Sequence, residues 1–229
     1  MNTSINKARA LSIWIFIVPF VAVNICLYIT TNLHFLIDQP YRLFNTFPYF
    51  DGGTSISRTA RYFPNYLIFK PAMFLTSYLL IKYWLLNKEI INSVDYNNKF
   101  IKKFVFFGIA SAVSLILHSI FLGVSFDFAI YKLFRRIVML SFIIFEVVAQ
   151  TYLVLALYSL KDKINHLIKP TILKLKIALV STLIIVAIVS IPIVSLPGNK
   201  FIKHALEWDY FLAVIAFYLL TFFMWKKNK

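Results

Sequence analysis

Glu146 stands in the middle of a long apolar run, and Gln150 follows four residues later. That spacing puts both on one helix face. Polar or ionisable side chains within a membrane span cost roughly 2.5 to 3.5 kcal/mol on insertion scales, so each one calls for a role. Few others share such surroundings: Asn24, Lys70 and His118. A carboxyl near an imidazole could act as an acid–base pair on a lipid ester. A nearby cation could hold a lipid phosphate. No activated nucleophile accompanies Glu146 and His118, and HExxH, CxxC, GxSxG and P-loop patterns are absent from the chain. The four histidines, His34, His118, His166 and His204, are never within reach of one another on one helix, so zinc would need ligands from several elements. Ser114 and His118 form an SxxxH pattern reminiscent of metal-dependent lipid hydrolases, without the HxxxH that those enzymes carry. Neither a metal nor a cofactor is expected, and no catalytic residue is assigned.

The elements that must position these groups follow from composition. Of 229 residues, 60% are apolar, 18% aromatic and only 14% charged, against about 25% charged in a soluble domain. An ordinary cytosolic globule is excluded. About 30 Å of hydrocarbon needs about 20 helical residues, and apolar runs fall at about 11–30, 65–86, 103–124, 137–160, 175–196 and 209–225. They lack the alternation of barrel strands, so helices satisfy the backbone. The expected fold is all-α: one polytopic membrane domain, a bundle of six transmembrane helices with a long first external loop at 31–64. Pro19, Pro71 and Pro192 predict kinks within spans. The run from Leu11 to Thr30 exceeds a signal-peptide core and lacks a small-x-small site, so it reads as an uncleaved first helix. Lone Cys26 cannot form an internal disulfide. Trp14, Trp84, Trp208 and Trp225 fall near span ends, where interfacial anchors are expected.

The net charge of +15 resides in short loops, which points to membrane headgroups rather than nucleic acid. With the N terminus inside, fifteen of the 24 Lys and Arg residues face the cytoplasm: Lys7, Arg9, Lys82, Lys88, Lys99, Lys102, Lys103, Lys161, Lys163, Lys169, Lys174, Lys176, Lys226, Lys227 and Lys229. The remainder, Arg42, Arg58, Arg61, Lys70, Lys132, Arg135, Arg136, Lys200 and Lys203, lie outside or near that face. The bias predicts both termini in the cytoplasm. A bacterial inner membrane and a eukaryotic endomembrane both remain open. In this topology Glu146 lies about 14 Å from the external end of its helix, and His118 and Asn24 about 9 Å from theirs. Ser57, Arg58, Arg61, His204, Glu207 and Asp209 stand at the external mouth.

Residues Thr54-Ser55-Ile56-Ser57-Arg58-Thr59-Ala60, then Pro64 and Leu67-Ile68-Phe69, resemble the Frag1/DRAM/Sfk1 family of six-span proteins. That family places an external Pro-aromatic-Ile-Ser-x-Thr-Gly stretch before a proline and helix two. Glu207-Trp208 leading into the last helix, with Lys226, Lys227 and Lys229 near the end, is a second similarity. Thr54, Arg58 and Ala60 depart from the family pattern, as does Arg136 where some members place His. The resemblance implies a role in membrane lipid homeostasis, including lipid remodelling of glycosylphosphatidylinositol anchors, without implying a reaction.

These readings converge on lipid binding or organisation through a polar pocket in the outer half of the bundle. Ser57, Arg58, Arg61 and Lys70 are expected to hold an anionic headgroup; Asn24, His118, Glu146, Gln150, His204 and Glu207 are expected to line the pocket. Interhelical hydrogen bonding of Asn24, Glu146 and Gln150 is the alternative. A membrane-embedded lipid-modifying enzyme and a small-solute transporter are the other functional classes. Membrane lipids are the expected partners, nucleic acid is not, and a homo-oligomer or a membrane-protein partner stays open.

Overall fold

The computed structural model describes residues 1–124 and 128–226. Lys227 and Lys229, counted above among the cytoplasmic cations, lie outside the described residues, as does the side chain of Lys132. The chain is all-helical among the described residues. In order come α1 (Asn2–Asn32), short α2 (Pro48–Asp51) and α3 (Ile56–Thr59), α4 (Asn65–Val94), α5 (Ile101–Phe121), α6 (Ala129–Ser159), short α7 (Lys161–Ile164), α8 (Pro170–Ser195) and α9 (Lys200–Met224). Two 3-10 turns, His34–Leu36 and Gln39–Tyr41, lie between α1 and α2.

Five helices, α1, α5, α6, α8 and α9, are long and apolar enough to cross a membrane. This is the architecture of a multi-pass integral membrane protein. The sixth long helix, α4, has 30 residues; Lys70, Lys82, Lys88 and Glu89 punctuate it, and it is not among the five. Helices begin earlier than the apolar runs. α1 starts at Asn2, α6 at Ala129 and α9 at Lys200, because backbone hydrogen bonding continues past the point where side chains turn polar. Pro19, Pro71 and Pro192 lie inside helices, as the sequence predicts.

The six long helices close a ring in chain order, α1 against α4, α4 against α5, α5 against α6, α6 against α8, α8 against α9 and α9 against α1. Contacts between helix ends fix their directions. Ser4 Oγ meets Glu89 Oε2 at 3.3 Å, Arg9 Nε donates to Phe222 O at 3.1 Å, and Asn98 Nδ2 donates to Ser159 Oγ at 3.2 Å. Lys169 N donates to Met224 O (2.9 Å) and Lys226 N to Leu167 O (2.8 Å). Both ends of the described chain therefore share one face, here the terminal face. The segment 33–64 covers the opposite face and is called the lid.

The outer surface of the ring is apolar, as expected of a bundle in lipid. Its outer surface exposes Ile184, Ile185, Ile188, Val189 and Ile191 along α8. The four tryptophans do not act as a set of interfacial anchors. Trp14 is exposed, but Trp84, Trp208 and Trp225 are buried in the core. Gly108 on α5 explains Trp84: a Cβ there would lie 2.4 Å from the indole ring, so the absent side chain makes room for it. Lys176, expected on the terminal face, is completely buried.

Candidate functional site

Polar side chains gather in three places. The first locks the lid to the ring. Glu207 on α9 accepts hydrogen bonds from the backbone amides of Ile56, at 3.1 Å, and Ser57. These amides open α3, where the carbonyl-directed chain leaves N–H groups without internal partners. Ser55 Oγ takes the Arg58 amide at 3.2 Å. One turn earlier on α9, His204 Nδ1 lies 2.9 Å from Gly52 O. Beside it, Trp208 Nε1 donates to Thr54 O at 2.9 Å. Gly52 has φ 61°, and a Cβ on it would sit 1.8 Å from Phe201 O, so this contact tolerates only glycine. Tyr49 rests edge-on against Trp208 and donates its hydroxyl to Asn24 Oδ1 at 3.2 Å. At the far end, the Asn65 amide lies within hydrogen-bonding distance of Cys26 O, Thr30 Oγ1 and Thr59 O, joining α1, lid and α4.

The lid also holds its own shape. Asp51 accepts hydrogen bonds from Phe47 N, Gly53 N and Thr46 Oγ1, at 2.6, 2.7 and 2.8 Å. Slight burial raises its pKa, but these three donors outweigh that and hold the carboxyl below its ordinary value.

The second gathering is cationic and sits beside the end of α5. Lys70 Nζ lies 3.4 Å from Ile120 O and over the Tyr66 ring. Arg61 and Arg135 are close enough to His118 to act on it electrostatically, and close enough to act on each other. The Arg61 side chain and carbonyl cover Gly123 in the turn after α5. Its Nε is buried and has no hydrogen-bond partner among the described residues. Carbonyls at the end of α5 favour nearby positive charge. Arg61, Arg135 and Lys70 thus all lie beside the end of α5.

The third gathering fills the ring. Glu146 on α6 is buried and accepts from Ser111 of α5 at 2.6 Å, from Gln150 at 3.1 Å and from the Tyr218 hydroxyl of α9. Gln150 also donates to Val214 O at 3.1 Å. Closer to the terminal face, Lys176 donates to Thr221 Oγ1 at 2.7 Å and lies 3.7 Å above the Phe217 ring. Tyr83 of α4 stands 3.1 Å from the same Thr221 oxygen, and its ring meets Tyr218 edge to face with centroids 5.0 Å apart.

The ten residues singled out from the sequence thus divide rather than line one pocket. Asn24, Ser57, His204 and Glu207 belong to the lid lock, with Arg58 electrostatically close to His204. Arg61, Lys70 and His118 come together in the cationic cluster. Glu146 and Gln150 share an interhelical contact, the alternative considered for them. The expected cavity joining Glu146, His118, Lys70 and Glu207 gives way to this division because each carboxylate finds donors on its immediate neighbours. Arg135, Lys176, Tyr83, Tyr218 and Thr221 escaped sequence reasoning as site residues. For Lys176, its place two turns into an apolar helix was the available signal. Two clefts of about 250 and 370 Å³ lie near the terminal face, the larger lined by Lys161, Asp162 and Lys174. Among the described residues no group of three or more His, Cys, Asp or Glu side chains could hold a metal ion. In comparisons with known proteins, no family model, no curated protein and no solved structure matches this chain.

Proposed function

We propose that this protein binds anionic membrane lipid at its lid face, with the headgroup phosphate held by Arg61, Lys70 and Arg135 beside His118. In this reading α4 is a sixth span, the lid is external and both chain ends are cytoplasmic. The excess of Lys and Arg on the terminal side supports that orientation. The observation that carries the binding claim is Arg61 Nε, a buried guanidinium donor without a partner among the described residues. A buried unpaired donor costs about 1 to 3 kcal/mol, and a phosphate oxygen is an acceptor that relieves it through a charge-assisted bond. Exposed phenylalanines on the lid, Phe35, Phe44, Phe47, Phe50 and Phe63, supply apolar surface on the same face for acyl chains. The similarity to the Frag1/DRAM/Sfk1 pattern in this same segment fits a role in lipid homeostasis.

Reconstitution with a photoreactive anionic phospholipid tests the proposal. Arg135→Gln and Lys70→Gln should each lower labelling by about tenfold, the loss of one charge-assisted bond. Arg58→Gln, outside the cluster, should label as the parent does. Equal labelling of Arg135→Gln and parent at matched expression would remove the claim.

A further inference from the structure

On the terminal face, away from the lid lock and the cationic cluster, the cleft of about 370 Å³ lies between the end of α6 and the start of α8, with α7 between them. Its lining changes character along its length. Lys161 and Asp162 belong to α7, beyond the last residue of the α6 span, whereas Leu173 and Ile177 belong to the first turns of the α8 span. One end therefore stands among headgroups and the other reaches apolar depth. Tyr158, in the last turn of α6, lies at the junction, where aromatic side chains are favoured at a membrane interface.

The charge here is almost all of one sign. From Tyr158 to Ile177 the exposed charged residues are Lys161, Lys163, Lys169 and Lys174, against Asp162 alone. Lys226 adds an ammonium, its Nζ 3.1 Å from the carbonyl of Asn165 in the cleft wall. Lys161 Nζ lies 4.8 Å from the centroid of the Tyr158 ring. Leu173 is buried and Ile177 half-buried, so the deeper end is packed and apolar. A soluble acidic segment would match the lysines and leave that deeper end without a partner. A phospholipid presents a phosphate and an acyl chain in the same order as the groove.

We propose that this groove seats one anionic phospholipid of the leaflet at the terminal face, with its phosphate at Lys161 and Lys174 and an acyl chain along Leu173 and Ile177. Basic pockets between membrane helices hold headgroups in this way. Both lysines are exposed, whereas Arg61, Lys70 and Arg135 are half-buried. Screening makes the groove the weaker seat, filled in a bilayer, emptied by detergent and a small share of total labelling. The lid-face reading rests on other residues, so either can fail alone.

Phosphatidylcholine proteoliposomes carrying photoreactive phosphatidylglycerol test the proposal, with crosslinks assigned by peptide mass spectrometry and those within residues 158–177 counted separately. The parent should crosslink there. Lys161→Gln combined with Lys174→Gln should lower that signal about tenfold or more, the loss of two lysines beside an anionic surface. Lys7→Gln combined with Lys99→Gln, an equal loss of charge from exposed lysines elsewhere on this face, should leave it near the parental level. Asp162→Asn should raise it about two- to fivefold, the size of one exposed charge contact, a gain that misfolding does not produce. Three results would each overturn the proposal: equal crosslinking in the parent and the Lys161 and Lys174 double variant; an equal fall in the Lys7 and Lys99 double variant; or no crosslink in this segment of the parent, as expected of a groove that takes an acidic protein segment.

Discussion

Replacing Glu146 by Leu is a quantitative test of the ring interior, because the fate of each donor can be followed. Ser111 still has Gly108 O at 2.9 Å, and Gln150 still has Val214 O at 3.1 Å. Tyr218 loses its carboxylate. The Gln150 amide, its other polar neighbour, can offer its carbonyl only by turning its N–H away from Val214, so one bond is lost either way. An orphaned buried donor costs about 1 to 3 kcal/mol, whereas three independently weighted bonds at the average of about 0.6 kcal/mol seen in membrane proteins would cost about 2 kcal/mol. The totals overlap, but a second substitution separates them. If the cost is one orphaned phenol, Glu146→Leu combined with Tyr218→Phe regains most of the loss. If the bonds count separately, Tyr218→Phe changes nothing further. At about 2 to 4 °C per kcal/mol for a chain of this size, thermal unfolding in detergent should show Glu146→Leu lower by about 2 to 12 °C and the double variant close to the parent. A double variant no more stable than the single one would refute this accounting of the network.

Two further predictions concern the lid. Glu207→Leu leaves the Ile56 and Ser57 amides without their acceptor and should increase proteolytic cleavage within residues 33–64, while Glu207→Gln, whose amide oxygen still accepts, should cleave more like the parent. Asp51 supplies the pH dependence. Because hydrogen bonds depress its folded pKa below the unfolded value, its contribution to lid order is fully present above the ordinary Asp range and is lost as pH falls through the lowered folded value. Cleavage of the lid by an acid-active protease should therefore rise steeply only at such acid pH in the parent, and Asp51→Asn should be cleaved more readily at neutral pH.

The helical class was legible because hydropathy runs report how much chain a membrane can hold. What those runs could not report is which way a side chain turns. Trp84, Trp208 and Trp225 sit at run ends, where an indole at an interface and an indole in a core have the same sequence address; Gly108 and the lid carbonyl of Thr54 decide for the core. A lysine near a helix start ordinarily reaches water, which is why Lys176 counts in the sequence among the cytoplasmic cations. Here Thr221 and Phe217 take it into the ring instead. The spacing of Glu146 and Gln150 correctly put them on one face, yet their partners Ser111 and Tyr218 come from helices whose rotation no local pattern specifies. Arg61 and Lys70 were found from their charge and position. Arg135 stands in the sequence only as one of the cations outside or near the external face, since its closeness to Arg61 depends on the ring closing α4 and α6 around α5.

Native mass spectrometry of the protein released from membranes containing both anionic and zwitterionic phospholipid tests the lipid claim most directly. The account predicts that the parent retains anionic phospholipid and that Arg61→Gln combined with Arg135→Gln releases it while keeping the intact protein mass and fold. Retention of the same lipid, in the same amount, by parent and double variant would contradict it.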